Sequence, residues 1–375
     1  GEAAMLKGER PEDVRSQLDE LIQDLDLGSK GDIRLFGAFP FDVQRETDAI
    51  WAGFEQPTFV LPRYIYRQTP TETSLTEIAP DGTLPPSRQW DAPPLTPATW
   101  KDDLDYAKWE AMVNIAKESA ASGEIGKVVF ARTRKVSFED RPELTAVFSR
   151  LNDAYPATTR FYFEPRPGLV FMGATPELLV RTKGRSLETV ALAGSAPRSQ
   201  DDEINAQHSA ALLASSKDQR EHAIVIEDIV AGLSSLCTSV EHAAEPQLRQ
   251  LPNIQHLETP IKATLKEEGF FDPVQALHPT PALAGQPREA AMDMIREHEP
   301  RSRGAYGAPV GWITPHGDGE LAVAIRSAVF RQKEGLLYAG AGLLADSDPE
   351  KEWQETVMKF RPMMDALGLE EQSSS

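Results

Sequence analysis

Residues 305–343 contain three apolar, β-rich runs, Ala305–Thr314, Glu320–Arg331 and Leu336–Leu343, separated by a His-Gly-Asp-Gly turn and a Lys-Glu-Gly turn. Connections this short reverse the chain, so the strands they join pair antiparallel; a parallel pair needs a long crossover. The spacing predicts a three-stranded meander. Ile33–Phe36, Thr58–Arg67, Lys127–Val136 and Ile254–Leu257 also read as strands, and Arg160–Glu164 pairs with Leu169–Met172 across a Pro-Arg-Pro-Gly turn. Helical spacing marks Pro11–Leu27, stopped by Gly28, then Thr99 to about Ala121, Pro142–Ala154, and one long helix Asn205–Leu236 with Leu212, Leu213, Ile229 and Leu233 inward. Asp348-Pro349-Glu350 supplies a cap, a first-position proline and a first-turn acid for a last helix to about Leu367. Strands and helices mixed without a strict strand–helix–strand rhythm favour an α+β fold over a doubly wound sheet.

Composition removes several functional classes. The 375 residues are 40% hydrophobic and 26% charged, ample for a sizeable core, and carry a net charge of −19 without any Lys/Arg run. A nucleic-acid or anionic-membrane binder needs a basic patch, so neither partner is expected. An anionic substrate would be repelled unless the site supplied its own cation or metal. The single cysteine, Cys237, excludes a disulfide framework and suits a reducing cytoplasm. No stretch approaches the roughly 18 continuous apolar residues of a membrane span, and no signal peptide is visible. Between Pro70 and Pro97 seven prolines and few apolar residues read as a loop, and the end of the chain reads as a frayed tail.

Several side chains stand where ordinary folding does not need them. Glu177, between Pro176 and Leu178-Leu179, is either paired, with Arg181 the nearest candidate, or held desolvated for proton transfer. On the last helix Glu352, Glu355 and Lys359 share one face, and Trp353, Val357, Phe360 and Met364 the other. That face is either solvated, with a Glu355–Lys359 pair contributing about a few tenths of a kcal/mol, or one wall of a site. Glu221, one turn beyond Lys217, offers a carboxylate from the long helix. Two helix-borne carboxylates facing one cavity would suit Mg²⁺, which takes few protein ligands. Ala193-Gly194-Ser195 and Gly340-Ala341-Gly342 either let backbone N–H groups approach an oxyanion or are tight bends. Arg326, one cation in an apolar strand, needs either a structural ion pair or a carboxylate ligand.

Read together, these segments resemble a known family. Lys-Val-Val at 127–129, Gly-Ala-Thr-Pro-Glu-Leu-Leu at 173–179, Leu-Ala-Gly-Ser-Ala at 192–196 and Lys-Asp-Gln-Arg-Glu-His at 217–222 look like the chorismate-utilising enzymes. So do His-Pro-Thr-Pro-Ala-Leu-Ala-Gly at 278–285, Ala-Ile-Arg-Ser-Ala at 324–328, Ala-Gly-Ala-Gly at 339–342 and Glu-Trp-Gln-Glu-Thr at 352–356. The family includes isochorismate, anthranilate, aminodeoxychorismate and salicylate synthases, and the pattern resembles isochorismate synthase. It runs in order from about residue 100 to 368, with residues 1–98 matching loosely. The resemblance implies one large α+β domain of packed, mostly antiparallel sheets covered by helices. Residues 1–98 would then be the N-terminal part of that fold with a Pro-rich loop at 70–98, 99–368 the chorismate-binding region and 369–375 a disordered tail. It also implies a monomer.

The implied reaction is Mg²⁺-dependent conversion of chorismate to isochorismate, with water added at C2 and the C4 hydroxyl lost, supplying siderophore or menaquinone biosynthesis. Lys127 matches the general base and Glu177 the general acid. Glu221 and Glu355 match Mg²⁺ ligands, with Glu352 a ligand or a neighbour of one. Arg326 and Lys359 match positions that hold substrate carboxylates. Gly194, Ser195, His256, Ala282, Leu283, Gly340 and Gly342 fall among substrate-binding positions. Such a base must lose its proton from an ordinary pKa of about 10.4, and such an acid must keep one above about 4.3, by burial and neighbouring charge. Ala193 stands where covalent aminodeoxychorismate synthases resemble a Lys nucleophile. Lys127 argues for water over the ammonia of anthranilate synthases. Salicylate synthase, which goes on to eliminate pyruvate, is the alternative within the family. A non-catalytic binding protein retaining the scaffold is the alternative outside it, and would be expected to lack one of Lys127, Glu177, Glu221 or Glu355.

Overall fold

The structure, a computed structural model, describes residues 2–8, 11–24, 33–78 and 93–371. Among these residues two large sheets form, one of ten strands and one of seven, every pairing antiparallel, with a separate two-stranded hairpin. The ten-stranded sheet has at its centre Pro309–Ile313, Gly319–Val323, Leu178–Lys183, Ser186–Pro197 and Ile254–Leu265. The seven-stranded sheet is built on Lys127–Phe138, Glu334–Leu343, Ser327–Arg331, Leu169–Thr175 and Thr159–Arg166.

Strand alternation explains the layering. On Ser327–Arg331, Ala328 and Phe330 face a cluster with Phe360, Met363 and Met364 of the last helix, while Val329 joins the main core. That core carries residues of both sheets and is tied by edge contacts of Trp51 and Phe54 with Phe171. Side chains of one strand point alternately to opposite faces, so a buried two-faced sheet needs this unbroken apolar run.

The predicted three-stranded meander does not form. The run 320–331 is broken: Gly319–Val323 belongs to the ten-stranded sheet and Ser327–Arg331 to the seven-stranded one. The chain crosses between them at Ala324–Arg326, where Arg326 has φ 52°, a left-handed value unfavourable for a side-chain-bearing residue. Leu169–Thr175 and Leu178–Lys183 cross the same way at Pro176–Glu177. The two crossings are neighbours: Ser327 pairs with Gly173, Leu178 with Ala322, and Val323 N donates to Glu177 O at 3.0 Å.

Other expectations also change. The long helix is two, Asp202–Ala214 and Ser216–Ser234. Ser215 is extended and its hydroxyl accepts from Asp218 N at 3.2 Å, capping the second helix. The break turns Leu213, expected inward, out to solvent. Ala98–Asp102 is a strand pairing with Arg134–Phe138, and the helix expected from Thr99 begins at Tyr106, capped by Asp105. The stretch read as a Pro-rich loop opens with a strand, Thr73–Glu77, in a hairpin with Tyr64–Gln68; residues 79–92 of it lie outside the described residues. The first helix is described over Pro11–Asp24, so its expected end at Leu27–Gly28 lies outside them as well. Of the tail, Glu371 pairs with Arg134 and Glu370 O accepts from Trp100 Nε1 at 2.9 Å, while 372–375 lie outside the described residues.

The last helix forms as its start signals predict, over Pro349–Leu367 with Asp348 accepting from Glu350 N and Lys351 N. The buried Arg132 docks it, with its guanidinium 3.5 Å from the Trp353 ring centroid and Nε donating to Thr356 Oγ1 at 2.6 Å. The helices Ser216–Ser234 and Pro349–Leu367 both pack against Ser186–Pro197, which brings Glu221 and Glu355 to one place.

Candidate active site

A cavity opens where the two sheet crossings meet these two helices. Glu177 and Arg326 enter it from the crossings, Gly194, Ser195 and His256 from the ten-stranded sheet, Gly340 and Gly342 from the seven-stranded one, and Ala282 and Leu283 from a loop. Glu221, Glu355 and Lys359 close the helix side. Lys127 is fully buried and reaches this wall from behind, its Nζ 2.9 Å from Glu221 Oε1. Glu352 stands outside the lining, buried and paired with Lys217.

Glu177 does not take the pairing with Arg181 that its sequence neighbourhood allowed. Arg181 binds Glu188 and Glu320, each at 2.9 Å. Among the described residues no cation stands within ion-pair distance of the Glu177 carboxyl, which is buried with the residue 4% exposed. Burial pushes its pKa up to about 8, with Lys127, Arg326 and Lys359 opposing from farther away. A carboxylic acid that holds its proton at neutral pH is thus present in a cavity lined by cations.

Among the described residues Arg326 also has no carboxylate at ion-pair distance. Its Nη2 stands 2.8 Å from His256 Nε2, and its Nε has no hydrogen-bond partner. An arginine only donates, so His256 Nε2 accepts and its proton lies on Nδ1. That nitrogen faces Gly194 O at 3.0 Å and Ser195 Oγ at 3.1 Å. Burial, then Arg326 and Lys359, hold His256 well below the usual imidazole range, so it is neutral. The guanidinium keeps donors free for an anion.

The helix side behaves differently. Burial alone would raise Glu221, but Lys127, then Lys217 and Lys359, hold it below the usual carboxylate range. Glu355 Oε1 lies 2.5 Å from Lys359 Nζ and 3.4 Å from Ser195 Oγ. Lys359 Nζ also donates to Gly340 O at 2.8 Å, so the Glu355–Lys359 pair faces the cavity rather than solvent. Glu352 is pushed up to about 7 by burial and then by Glu355, a sign of crowded carboxyls. Among the described residues no three ligating side chains stand close enough to enclose a metal. Two carboxylates on one cavity wall fit a small, hard divalent cation that leaves its other positions to substrate and water.

The glycines are required by space. A Cβ at Gly342 would lie 2.3 Å from Glu221 Oε1 and 2.8 Å from Lys127 Cε, so any side chain there would displace both. Gly194 has φ +72°, with Asp218 3.0 Å from where its Cβ would be.

A sequence profile described as chorismate binding enzyme matches residues 84–368. The chain belongs to the chorismate-binding enzymes. This chorismate-binding enzyme is 35% identical over 356 residues to isochorismate synthase MenF of Bacillus subtilis, covering 90% of this chain and 75% of that one. It is 42% identical over 270 residues to the salicylate biosynthesis isochorismate synthase of Pseudomonas aeruginosa, covering 70% and 56%. The solved structure of MenF, the menaquinone-specific isochorismate synthase from Escherichia coli, matches with a TM-score of 0.82 at 27% identity, over 98% of this chain and 84% of that one. No helix among its described residues is long and apolar enough to cross a membrane.

The chorismate-binding enzyme also lines its cavity with Val129, Leu192, Ala193 and Ile325, which lie within the motifs quoted above, and with Tyr306, which sequence reasoning did not single out. Tyr306 is stacked on Tyr338, with centroids 5.0 Å apart, and burial pushes its phenol up to about 12. Its sequence context, Ala-Tyr-Gly, looks like ordinary core.

Proposed function

We propose that this chain converts chorismate to isochorismate, with water adding at C2 of the ring as the C4 hydroxyl leaves. The observation that carries the reading is Glu177: a buried carboxyl without an ion-pair partner among the described residues, protonated at neutral pH, sharing a cavity with two further carboxylates and two cations. Glu177 donates its proton to the departing hydroxyl, which leaves as water. Lys127 takes the proton of the incoming water and must therefore be neutral at that moment. Arg326 and Lys359 hold the substrate carboxylates, and the unpartnered Arg326 Nε is the donor available for one of them. Ala282, Leu283, Tyr306 and Ile325 give the ring apolar walls and exclude bulk water. Mg²⁺, held by Glu221 and Glu355 with Glu352 beside them, would supply positive charge to the substrate's ring carboxylate and offset the −19 charge of the chain.

The test is the purified protein with chorismate and Mg²⁺, products read by mass. Accumulating isochorismate is expected. Accumulating salicylate and pyruvate, or turnover that requires ammonia, overturns the assignment.

A further inference from the structure

The outer edge of the Lys127–Phe138 strand is paired in pieces. Gly285 and Gln286 pair with Val128 and Lys127 at one end, and Ala98–Asp102 with Arg134–Phe138 at the other. Val129 N still reaches Ala284 O at 2.8 Å. Beyond it, Val129 O and Ala131 N meet no strand among the described residues. Two side chains take its place: Arg303 Nη2 donates to Val129 O at 2.8 Å, and Ala131 N donates to Glu299 Oε1 at 2.7 Å. The two are themselves joined, Arg303 Nε to Glu299 Oε2 at 3.0 Å and Nη2 to Oε1 at 2.5 Å. The remaining arm, Nη1, donates to Leu283 O at 2.6 Å. The guanidinium lies over Phe41 at 4.4 Å, and Arg303 O accepts from Tyr306 N at 2.8 Å.

Both side chains are buried, at 4% and 3% exposure. A buried ion pair is a poor source of stability, because desolvation offsets most of its attraction and apolar residues of like volume often serve as well. What this pair provides is geometry. A planar guanidinium fixes two backbone carbonyls in one plane, and these belong to Val129 and Leu283, which line the cavity on different segments. Val129 is two residues from Lys127, and Tyr306 hangs from Arg303's own carbonyl. Two parts of the cavity wall are thereby referred to one side chain, and a third to the backbone of the same residue, which stands outside the cavity lining.

We propose that the Glu299–Arg303 pair is a positioning device that sets the register of the Lys127 strand against the Leu283 wall, and so acts on turnover. The proposal rests on the function assigned above. Arg303→Lys keeps the charge but cannot span both carbonyls and the carboxylate. Its expected effect is a loss of about tenfold or more in kcat, exceeding any change in KM, since small misplacement of a reacting group is costly. Circular dichroism and thermal melting establish that the variant is folded. A folded Arg303→Lys with parental kcat and KM overturns the proposal and leaves the pair a packing element. Should Arg303→Lys not fold, Glu299→Gln decides by the same measure, because its amide sets a donor against the guanidinium's donors: a kcat loss of the same order supports the proposal and parental kinetics overturn it. The parent protein is the control. If it does not convert chorismate, the functional assignment fails on its own, and the pair is then judged by equilibrium dialysis with chorismate. There a loss of about threefold or more in affinity in the folded variant supports positioning, and unchanged affinity overturns it.

Discussion

The two sides of the cavity use the same residue type to opposite ends. On the sheet side, Glu177 sits in a crossing between sheets, fixed by backbone on both flanks and without a cation at contact distance; its pKa rises to about 8. On the helix side, Glu221 and Glu355 each touch a lysine, and Glu221 is held below the ordinary range. Glu177 is buried, while Glu221 and Glu355 are half-buried. The difference lies in neighbours at contact distance: desolvation raises both Glu177 and Glu221, and at Glu221 the Lys127 ammonium reverses it, whereas at Glu352 burial and Glu355 outweigh the pairing with Lys217. A protonated Glu177 and an ionised Glu221 can therefore line one cavity at one pH.

The contrast can be broken in four ways, in descending order of effect. Glu221→Ala or Glu355→Ala is expected to abolish the rate response to added Mg²⁺; initial rates across a Mg²⁺ titration that match the parent would remove the helix side from the proposal. Lys127→Ala and Glu177→Ala are each expected to lower kcat by about 10²–10⁴-fold, the usual size of a proton-transfer contribution. Near-parental turnover in either would end that role. The pH profile is a finer probe. Glu177 must be protonated to act, so kcat is expected to fall as pH rises through about 8, and a limb insensitive to Glu177→Gln would place the acid elsewhere. The smallest effect is on stability. The folded pKa of Glu177 lies above its ordinary 4.5, so its contribution to stability is fully present below that value. The contribution is lost as pH rises from there through about 8. Denaturant unfolding at several pH values is expected to show a shallower decline for Glu177→Gln than for the parent; parallel curves would mean that Glu177 titrates normally.

Local signals were legible where chemistry is local. Asp348-Pro349 marks the start of the last helix because a cap and a first-turn proline act within four residues. The turns at 316–319 and 333–335 do reverse the chain. What sequence does not reveal is where a continuous apolar run changes sheets. Ala-Val-Ala-Ile-Arg-Ser-Ala has strand character throughout, and the break at Arg326 is imposed by tertiary pairing on each flank. Ser215 was equally hidden, since helical periodicity continues past it on both sides. In the cavity, Glu177, Arg326 and the glycines could be found because a charge among apolar residues, or a missing side chain, is anomalous by itself. Tyr306 could not, being an aromatic in an apolar context, and nothing in Glu299 or Arg303 distinguishes them from surface charge until the strand edge they complete is seen.

The paired crossings at Pro176–Glu177 and Ala324–Arg326 have a mechanical consequence. Each is a joint through which the two large sheets are covalently coupled, and each carries a group facing the cavity. Tilting one sheet against the other must therefore displace a proton donor and a guanidinium together. By reciprocity, a ligand that grips both stiffens the seam between the sheets, so occupancy and rigidity of the whole domain become two readings of a single free energy.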